Sequence, residues 1–427
     1  MWPSDGTASA RIMRGNIYID CTETLRVGAN TGIQRTVRSM LRAGREISGG
    51  LFVPVAFDGV HFVAADARAL DVRVARAGSI RLRERLQGAV LAGSRSAALR
   101  ATILHPALQS VARRGASAGY WALRARRGAS HASPVAFTEG DWLVLLDSTW
   151  GPDLRPELAR AKRAGARVCA VVYDLIQVRR PDLVSPGAAR VFSRWLARTL
   201  PLADRILTIS ASVQDDVREY LAQDGARGSG AKVDWFHLGS DFADPPAVAP
   251  TNELAAMFHG APAFVAVGTL EPRKAQGTLL DAFDRLWARG NPSRLILIGR
   301  EGFGSHSLVE RLDRHAELGR RLFWLSGASD ADLVYCYRHA TGVLNASLCE
   351  GFGLPLVEAA HFGAPVIASD IAVFREVGGD AVTYVAAGDV AAWESAIASS
   401  RTRHAVPPAP TRLTWRSAAE AFARKLN

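Results

Sequence analysis

Two glutamates stand eight positions apart on either side of a glycine-rich turn. Glu350 and Glu358 flank the sequence GFGLP at residues 351–355. The glycines let backbone N–H groups approach a ligand, and the proline is typical of the first position of a helix, whose N-terminus favours an anion such as phosphate. Carboxylates on both sides can accept hydrogen bonds from vicinal hydroxyls. The stretch therefore offers contacts in the order that a nucleotide sugar would need, for a ribose diol, a diphosphate and a hexose.

The same residues also fit a packing motif in which a strand, a turn and a helix carry two solvated glutamates, because glycine-spaced turns occur widely. The surrounding pattern favours a ligand site. Apolar strands alternate with amphipathic helices along both halves of the chain, which predicts an α/β protein with parallel sheets and crossover helices. Residues 343–347 form the strand that leads into the turn. The turn is therefore expected at the carboxyl edge of a sheet, where ligands bind in such folds.

A proline-rich stretch without periodicity separates two such α/β units. It covers residues 243–253 and reads as a linker. The sequence therefore predicts two Rossmann-like, doubly wound domains facing a central cleft, at residues 1–242 and 254–410. A terminal helix within residues 411–427 is expected to pack back toward the first domain.

The two glutamates and the turn between them resemble the donor-site signature of the retaining GT-B glycosyltransferases of family 4. The resemblance covers essentially all of residues 260–427, with further motifs at residues 265–283, 295–304, 323–337 and 369–385. The first half matches more loosely. Residues 20–41, 171–184 and 207–221 are similar to a bacterial subgroup that builds surface polysaccharides, often mannosyl- or rhamnosyltransferases.

The resemblance implies a role for each matched residue. Lys274 occupies the position of the diphosphate-binding lysine, Glu358 that of the ribose-binding residue, and Glu350 that of the residue that binds the donor sugar and takes part in catalysis. The backbone amides that would hold sugar and phosphate belong to Gly351, Phe352, Gly353 and Leu354. The chain departs from the family at Thr269, where many members have arginine. Arg273 is expected to supply the missing guanidinium, so that two cations face the charge that develops on a leaving diphosphate.

The first half contributes candidates on the other side of the cleft. Gly32 follows the first strand at the start of a helix and is expected to face the diphosphate; a simple capped surface helix is the alternative. Asp174 ends a buried strand and is the predicted catalytic group on the acceptor side, with Asp147 as a second candidate. Histidine is frequent in this region of the family, whereas this chain has Tyr173 before the aspartate. Either aspartate also suits a loop cap.

The resemblance implies an enzyme that transfers a hexose of the mannose or rhamnose type, with retention, from a nucleotide-diphosphate sugar. The donor is expected to be GDP-linked, and the acceptor a growing cell-surface polysaccharide or a lipid-linked oligosaccharide. No cofactor or metal is expected, since Asp330 and Asp332 begin a helix, where capping explains them. Two alternatives stay open: a catalytically inactive GT-B module that binds nucleotide or glycan, and a GT-B sugar-nucleotide epimerase.

The positive charge of the chain is concentrated in one segment. Of the net charge of +11, an excess of ten comes from residues 65–130, which hold thirteen arginines and three acidic residues. This range belongs to a predicted basic insert at about residues 65–134. Within it, residues 80–127 have amphipathic spacing and aromatic residues, which indicates an anionic membrane surface as partner. A solvated insert is the alternative, and no nucleic-acid motif accompanies the charge.

The remaining composition predicts a cytoplasmic protein, peripheral on the inner face of the cytoplasmic membrane if the basic segment binds lipid. The four cysteines lack the spacing of a zinc site or a disulfide framework and are expected to be reduced. The first twenty residues lack the apolar core of a secretion signal. No apolar run reaches the length of a transmembrane helix.

Overall fold

The computed structural model describes residues 15–27, 31–48, 52–66, 70, 133–223, 230–242, 250–400 and 413–427. The predicted membrane-binding segment at residues 80–127 lies outside the described residues, as do residues 243–249 of the predicted linker. Within the described ranges, no helix combines the length and the apolar character needed to cross a bilayer.

The first half folds around a sheet in which seven strands are described. The strand order is β3-β2-β1-β4-β5-β6-β7. The strands are Ile17–Asp20 (β1), Phe52–Phe57 (β2), Phe62–Ala64 (β3), Trp142–Leu145 (β4), Arg167–Val172 (β5), Arg205–Thr208 (β6) and Lys232–Trp235 (β7). All four residues of β4 are buried, as expected for a parallel strand covered by helices on both faces.

One edge of this sheet departs from the predicted parallel arrangement. β3 pairs antiparallel with β2, while the other neighbouring strands run parallel. Only residues 58–61 separate β2 from β3, and such a connection is too short for the crossover that a parallel pair needs.

Helices cover both faces of the first sheet. They are Thr22–Val27 (α1), Gly32–Ser48 (α2), Arg155–Arg163 (α3), Ile176–Arg179 (α4), Pro186–Thr199 (α5) and Ala211–Gln223 (α6). Short 3₁₀ turns lie at Pro181–Leu183 and Leu200–Leu202.

The second half repeats the architecture with a parallel sheet in which six strands are described. The order is β10-β9-β8-β11-β12-β13. The strands are Ala263–Val267 (β8), Arg294–Ile298 (β9), Leu322–Leu325 (β10), Gly342–Asn345 (β11), Val366–Ser369 (β12) and Val382–Val385 (β13). The helices are Asn252–Ala256 (α7), Gln276–Ala288 (α8), His306–Asp313 (α9), Asp330–His339 (α10), Leu354–His361 (α11), Ala372–Gly378 (α12) and Val390–Ser399 (α13), with 3₁₀ turns at Pro272–Lys274 and Gly379–Ala381.

Both sheets reverse their strand order at one point, as the doubly wound prediction requires. In the first sheet the reversal lies between β1 and β4, and in the second between β8 and β11. Ligands bind at such reversals, beyond the carboxyl ends of the two strands. The predicted fold class, α/β with two doubly wound sheets, is therefore confirmed.

The last helix, Trp415–Leu426 (α14), lies on the first half of the molecule. Phe422 packs edge-to-face against Phe236 and Phe52, with ring centroids 5.2 and 6.0 Å apart. The ammonium group of Lys425 lies 2.6 Å from the carboxylate of Asp234 in β7. The chain thus returns to its first sheet after completing the second.

Candidate functional site

Lys274 and Glu350 meet at the strand reversal of the second sheet. Lys274 lies in the 3₁₀ turn that follows β8, and Glu350 lies in the loop after β11, so the reversal brings both to one place. The Lys274 ammonium forms an ion pair with the Glu350 carboxylate. Arg273 Nη1 lies 3.1 Å from Glu350 Oε2, and the Ser347 hydroxyl donates to Oε1 at 2.7 Å. Sequence reasoning had placed these three charged residues in one site, and the structure brings them into contact.

The two cations dominate the electrostatics of Glu350. Burial by itself would raise the pKa of this carboxyl, but Lys274 and Arg273 outweigh that effect and lower it to about 2. Arg273 also binds Glu271, with Nε 2.8 Å from Oε2. Glu350 is therefore ionised at neutral pH and holds both cations in place. A diphosphate entering this position would meet a preorganised pair of positive groups.

Backbone geometry explains why glycine stands at two positions around these charges. Gly268 has φ +148°, and a Cβ there would lie 3.3 Å from Lys274 Cε, so the lysine side chain passes over the bare backbone. Gly353 has φ +95°, in the left-handed region that favours glycine, and a Cβ there would lie 2.5 Å from the ring of Phe374. Both sites require the absence of a side chain.

The glycine-rich turn leads into α11, which begins at Leu354, one residue earlier than predicted. Pro355 is consequently the second helical residue rather than the first. Gly353 is the N-cap, and no described side chain caps this helix end. The N-terminus of α11 thus has no capping side chain on its backbone N–H groups, which suits an anionic ligand.

Glu358 lies one turn into α11, and the residue is only 3% exposed. Tyr337 of α10 donates a hydrogen bond to Glu358 Oε2 at 2.8 Å. The other oxygen, Oε1, forms an ion pair with Arg35 of α2, which belongs to the first half of the molecule. Arg35 was missed by the sequence reasoning, although it lies one turn after Gly32 in the same predicted helix.

The first half approaches the glycine turn at three points. Gly351 packs against the main-chain carbonyl of Tyr173 so closely that a Cβ would overlap it, and that Cβ would lie 3.1 Å from the Cβ of Asp174. The Ser210 hydroxyl donates to the Gly351 carbonyl at 2.8 Å. At the third point, a Cβ on Gly32 would lie 3.6 Å from Leu354 Cδ1. The structure thus brings the candidates of both halves to the same turn.

Asp174 stands at the carboxyl end of β5 beside the turn. Its Oδ1 accepts the Ile176 N–H at 3.1 Å, which is the loop cap weighed as the alternative. Burial raises the pKa of Asp174, and the positive charge of Arg273 opposes that shift. The cap uses one of the two carboxylate oxygens, which leaves Asp174 able to accept a second hydrogen bond.

Asp147, the second acceptor-side candidate, lies at the strand reversal of the first sheet. Its Oδ2 accepts the Thr24 N–H at 2.6 Å, and Oδ1 of Asp20 in β1 accepts the Thr22 N–H at 3.0 Å. The two carboxylates together hold the N-terminus of α1. Burial, reinforced by the charge of Asp147, raises the pKa of Asp20 to about 7.

Next to the glycine turn, Glu376 of α12 joins the two halves. Its carboxylate oxygens accept the N–H groups of Ala211 and Ser212, at 2.7 and 2.9 Å, at the start of α6. His237 Nε2 lies 2.7 Å from Glu376 Oε1. The ends of β6 and β7 are thereby held against the second half.

Within the described part of the chain, no group of three or more His, Cys, Asp or Glu side chains has an arrangement that suits a metal ion. Asp332 forms a capping box with Ser329, as its position at a helix start predicts.

Comparison with known proteins places this site in a family. The model of "Glycosyl transferases group 1" matches residues 256–402, which include Lys274, Glu350 and Glu358. The serotype-specific mannosyltransferase WbdA of Escherichia coli is 36% identical over 307 residues, covering 69% of this chain and 38% of that protein. The O-antigen chain mannosyltransferase B of Escherichia coli is 36% identical over 135 residues, or 31% of this chain and 35% of that protein.

A solved structure extends the likeness to the whole fold. Anabaena Alr3699/HepE, crystallised with UDP and glucose, superposes with a TM-score of 0.56 at 16% identity, covering 97% of this chain and 99% of that one. The chain spans less than two fifths of the length of the WbdA proteins that it matches. From the matched motifs and the paired doubly wound sheets, the chain belongs to the group 1 glycosyltransferases (family 4) and has the GT-B fold.

Proposed function

We propose that the protein is a retaining hexosyltransferase that moves mannose, or a rhamnose-type sugar, from a GDP-linked donor to a growing bacterial surface polysaccharide. The observation that carries the proposal is the meeting of Lys274, Arg273 and Glu350 at the strand reversal of the second sheet. The family supports a nucleotide-sugar donor. The mannose preference rests on the likeness to mannosyltransferases, two of which are named for O-antigen chains.

The donor diphosphate would lie between the two cations and the start of α11. Lys274 and Arg273 neutralise the negative charge, and the backbone around Gly351–Leu354 supplies N–H donors. Glu350 would bind hydroxyls of the hexose, and Glu358 the ribose diol. Oxygen acceptors at both ends and positive groups in the middle match a nucleotide sugar along its length.

The reaction exchanges one bond at the anomeric carbon for another. The bond from C1 to the diphosphate oxygen breaks, and the acceptor hydroxyl forms a new bond to C1 on the same face. The departing diphosphate takes the acceptor proton, which keeps charge and atoms balanced. Lys274 and Arg273 stabilise the charge on the leaving group, and such stabilisation is a large part of catalysis in comparable sites. Asp174, beside the turn, would orient the acceptor hydroxyl.

A thermal-shift panel tests the donor site. GDP, UDP, dTDP and ADP, each with its sugars, are added to the wild type and to Glu358→Ala. Stabilisation by the GDP pair, lost in the variant, is the expected result. Glu310→Ala is the matched control, because Glu310 is an exposed glutamate of α9 in the same half. A wild type that responds to no nucleotide would contradict the proposal and favour an inactive binding module.

The acceptor is proposed to be lipid-linked and reached at a membrane surface through residues 80–127. The support is the density of arginine in that part of the sequence, together with its amphipathic spacing. Co-sedimentation with vesicles of anionic lipid tests the idea. Binding should disappear when residues 80–127 are deleted and should weaken at high salt. Equal partitioning of the full chain and the deletion variant would refute it.

A further inference from the structure

We propose that Arg35 is a gate on the donor site: it is paired with Glu358 in the structure and leaves Glu358 when a nucleotide binds. The inference rests on the proposed role of Glu358 in binding the ribose diol. It adds a charged residue of the first half to the donor site, and it makes the contact between the halves depend directly on donor binding.

The first step is the shielding of Glu358. The residue is 3% exposed, so a ribose has no path to its carboxylate in this arrangement. Both oxygens already have partners, Tyr337 on Oε2 and Arg35 on Oε1. A vicinal diol needs room beside at least one of these oxygens to donate its hydrogen bonds. One of the two partners must therefore move before a nucleotide can bind.

The second step identifies the partner that moves. Tyr337 is fully buried, and it belongs to α10 in the same half as Glu358. Its ring stacks on Phe362, with centroids 5.9 Å apart and planes inclined by 13°. Arg35 extends from α2 of the other half, so any separation of the halves removes it from Glu358. Arg35 is therefore the group that can open the site without disturbing the core of the second half.

The third step concerns what keeps Arg35 in place. Its second nitrogen, Nη2, lies 3.0 Å from Asp330 Oδ1, and its guanidinium carbon lies 4.9 Å from the centre of the Phe242 ring. Burial alone would lower the pKa of Arg35, but Glu358 and Asp330 outweigh it and raise the pKa further. The guanidinium is thus fixed as a cation by two acidic residues of the second half and one aromatic face.

Competition follows from these contacts. The arrangement with Arg35 on Glu358 excludes the ribose, and the nucleotide-bound arrangement excludes Arg35 from that position. A ligand that requires the less populated arrangement binds with an affinity reduced by the population of the competent state. Removing Arg35 should therefore strengthen nucleotide binding, whereas a residue that merely supports the site would weaken binding when removed.

Isothermal titration of GDP into wild type, Arg35→Ala and Arg35→Lys tests the gate. Arg35→Ala should bind GDP about three- to tenfold more tightly, which is the size expected if the competent state is a minority of the free protein. Arg35→Lys keeps the charge but cannot bridge two carboxylates with one planar group, so an intermediate gain is expected. Arg42→Ala is the control, since Arg42 is an exposed arginine on the same helix.

A second readout follows the contact between the halves. Small-angle scattering of Arg35→Ala without nucleotide should show a larger radius of gyration than the wild type, and the difference should shrink when GDP is present. Equal or weaker GDP binding by Arg35→Ala, with the wild type binding normally, would overturn the gate and leave the donor site intact. A wild type that binds no nucleotide would overturn the proposed function itself. Should Arg35→Ala fail to fold, the sign of the change in Arg35→Lys decides the question.

Discussion

Gly351 lies so close to the main-chain carbonyl of Tyr173 that any side chain at position 351 would overlap that oxygen. The two residues belong to different halves of the molecule, and the adjacent Ser210 hydroxyl donates to the Gly351 carbonyl at 2.8 Å. The contact between the halves therefore requires glycine at position 351.

Replacing Gly351 with alanine should keep both halves folded while preventing their approach. The expected result is a near-complete loss of transferase activity with little change in melting temperature, because the clash lies between the halves rather than within one. Gly277→Ala is the matched control: a Cβ at Gly277, in α8, would meet nothing within 4 Å. Activity of Gly351→Ala close to that of the control would show that the halves do not approach in this way during catalysis.

Lys274→Met should lower kcat by about 10²–10³-fold, the usual cost of removing one group that stabilises developing charge. It should also destabilise the fold, because Glu350 would keep its burial with only Arg273 as cation. The double variant Lys274→Met with Glu350→Gln removes the buried charge that has lost one of its two cationic partners. We expect it to recover melting temperature but not activity. Recovery of activity in the double variant would place the catalytic role of Lys274 in doubt.

Asp20→Asn should stabilise the protein more at pH 8 than at pH 5. The folded-state pKa of Asp20 is about 7, above the ordinary value of 3.8, so the folded protein binds this proton more tightly than the unfolded chain. Stability is therefore lost as the pH rises from about 4 to 7, and asparagine avoids the loss. Melting temperatures across this range measure the effect, with Asp215→Asn, an exposed aspartate of α6, as control. A difference between variant and wild type that does not change with pH would contradict the burial argument.

Glu376→Ala should weaken the contact between the halves next to the glycine turn. The start of α6 would lose two hydrogen bonds, and His237 would lose its carboxylate partner. We expect kcat/KM to fall by about tenfold, with Glu376→Gln nearer to wild type because it keeps an acceptor oxygen. Steady-state kinetics on the three proteins separate the outcomes. Equal loss in both variants would assign the effect to charge rather than to hydrogen bonding.

Activity should be unchanged in excess chelator, because Lys274, Arg273 and the start of α11 supply the positive charge that a metal supplies in other transferases. Transfer assays with and without EDTA measure this directly. Loss of activity in EDTA, restored by Mg²⁺, would show that the two cations do not suffice.

The arrangement around Glu350 could be predicted from sequence for a simple physical reason. Strands of a parallel sheet end at one edge, so loops after neighbouring strands meet there. Lys274 follows β8 and Glu350 follows β11, and these two strands are adjacent. Their contact follows from strand order and needs no knowledge of how the halves face each other.

The partner of Glu358 could not be predicted in the same way. Arg35 stands 323 positions away and on the other half, so no local pattern connects the two residues. The close contact between Gly351 and Tyr173 also joins residues of different halves, so no local pattern predicts it. The antiparallel β3 was missed for a different reason, since its three residues are too few to show a period. Local rules thus fix each sheet edge, while contacts between the halves depend on packing over the whole cleft.

The return of α14 to the first sheet means that the chain leaves the first half after β7 and comes back to it before α14. The outgoing and returning segments lie side by side, since the Ser240 N–H donates to the Leu413 carbonyl at 2.8 Å. The second half is consequently an insertion within the first half rather than a unit appended to its end. We expect two neighbouring connections to limit how far the halves rotate against each other, so that Gly351 and Glu376 meet the same partners whenever the halves approach.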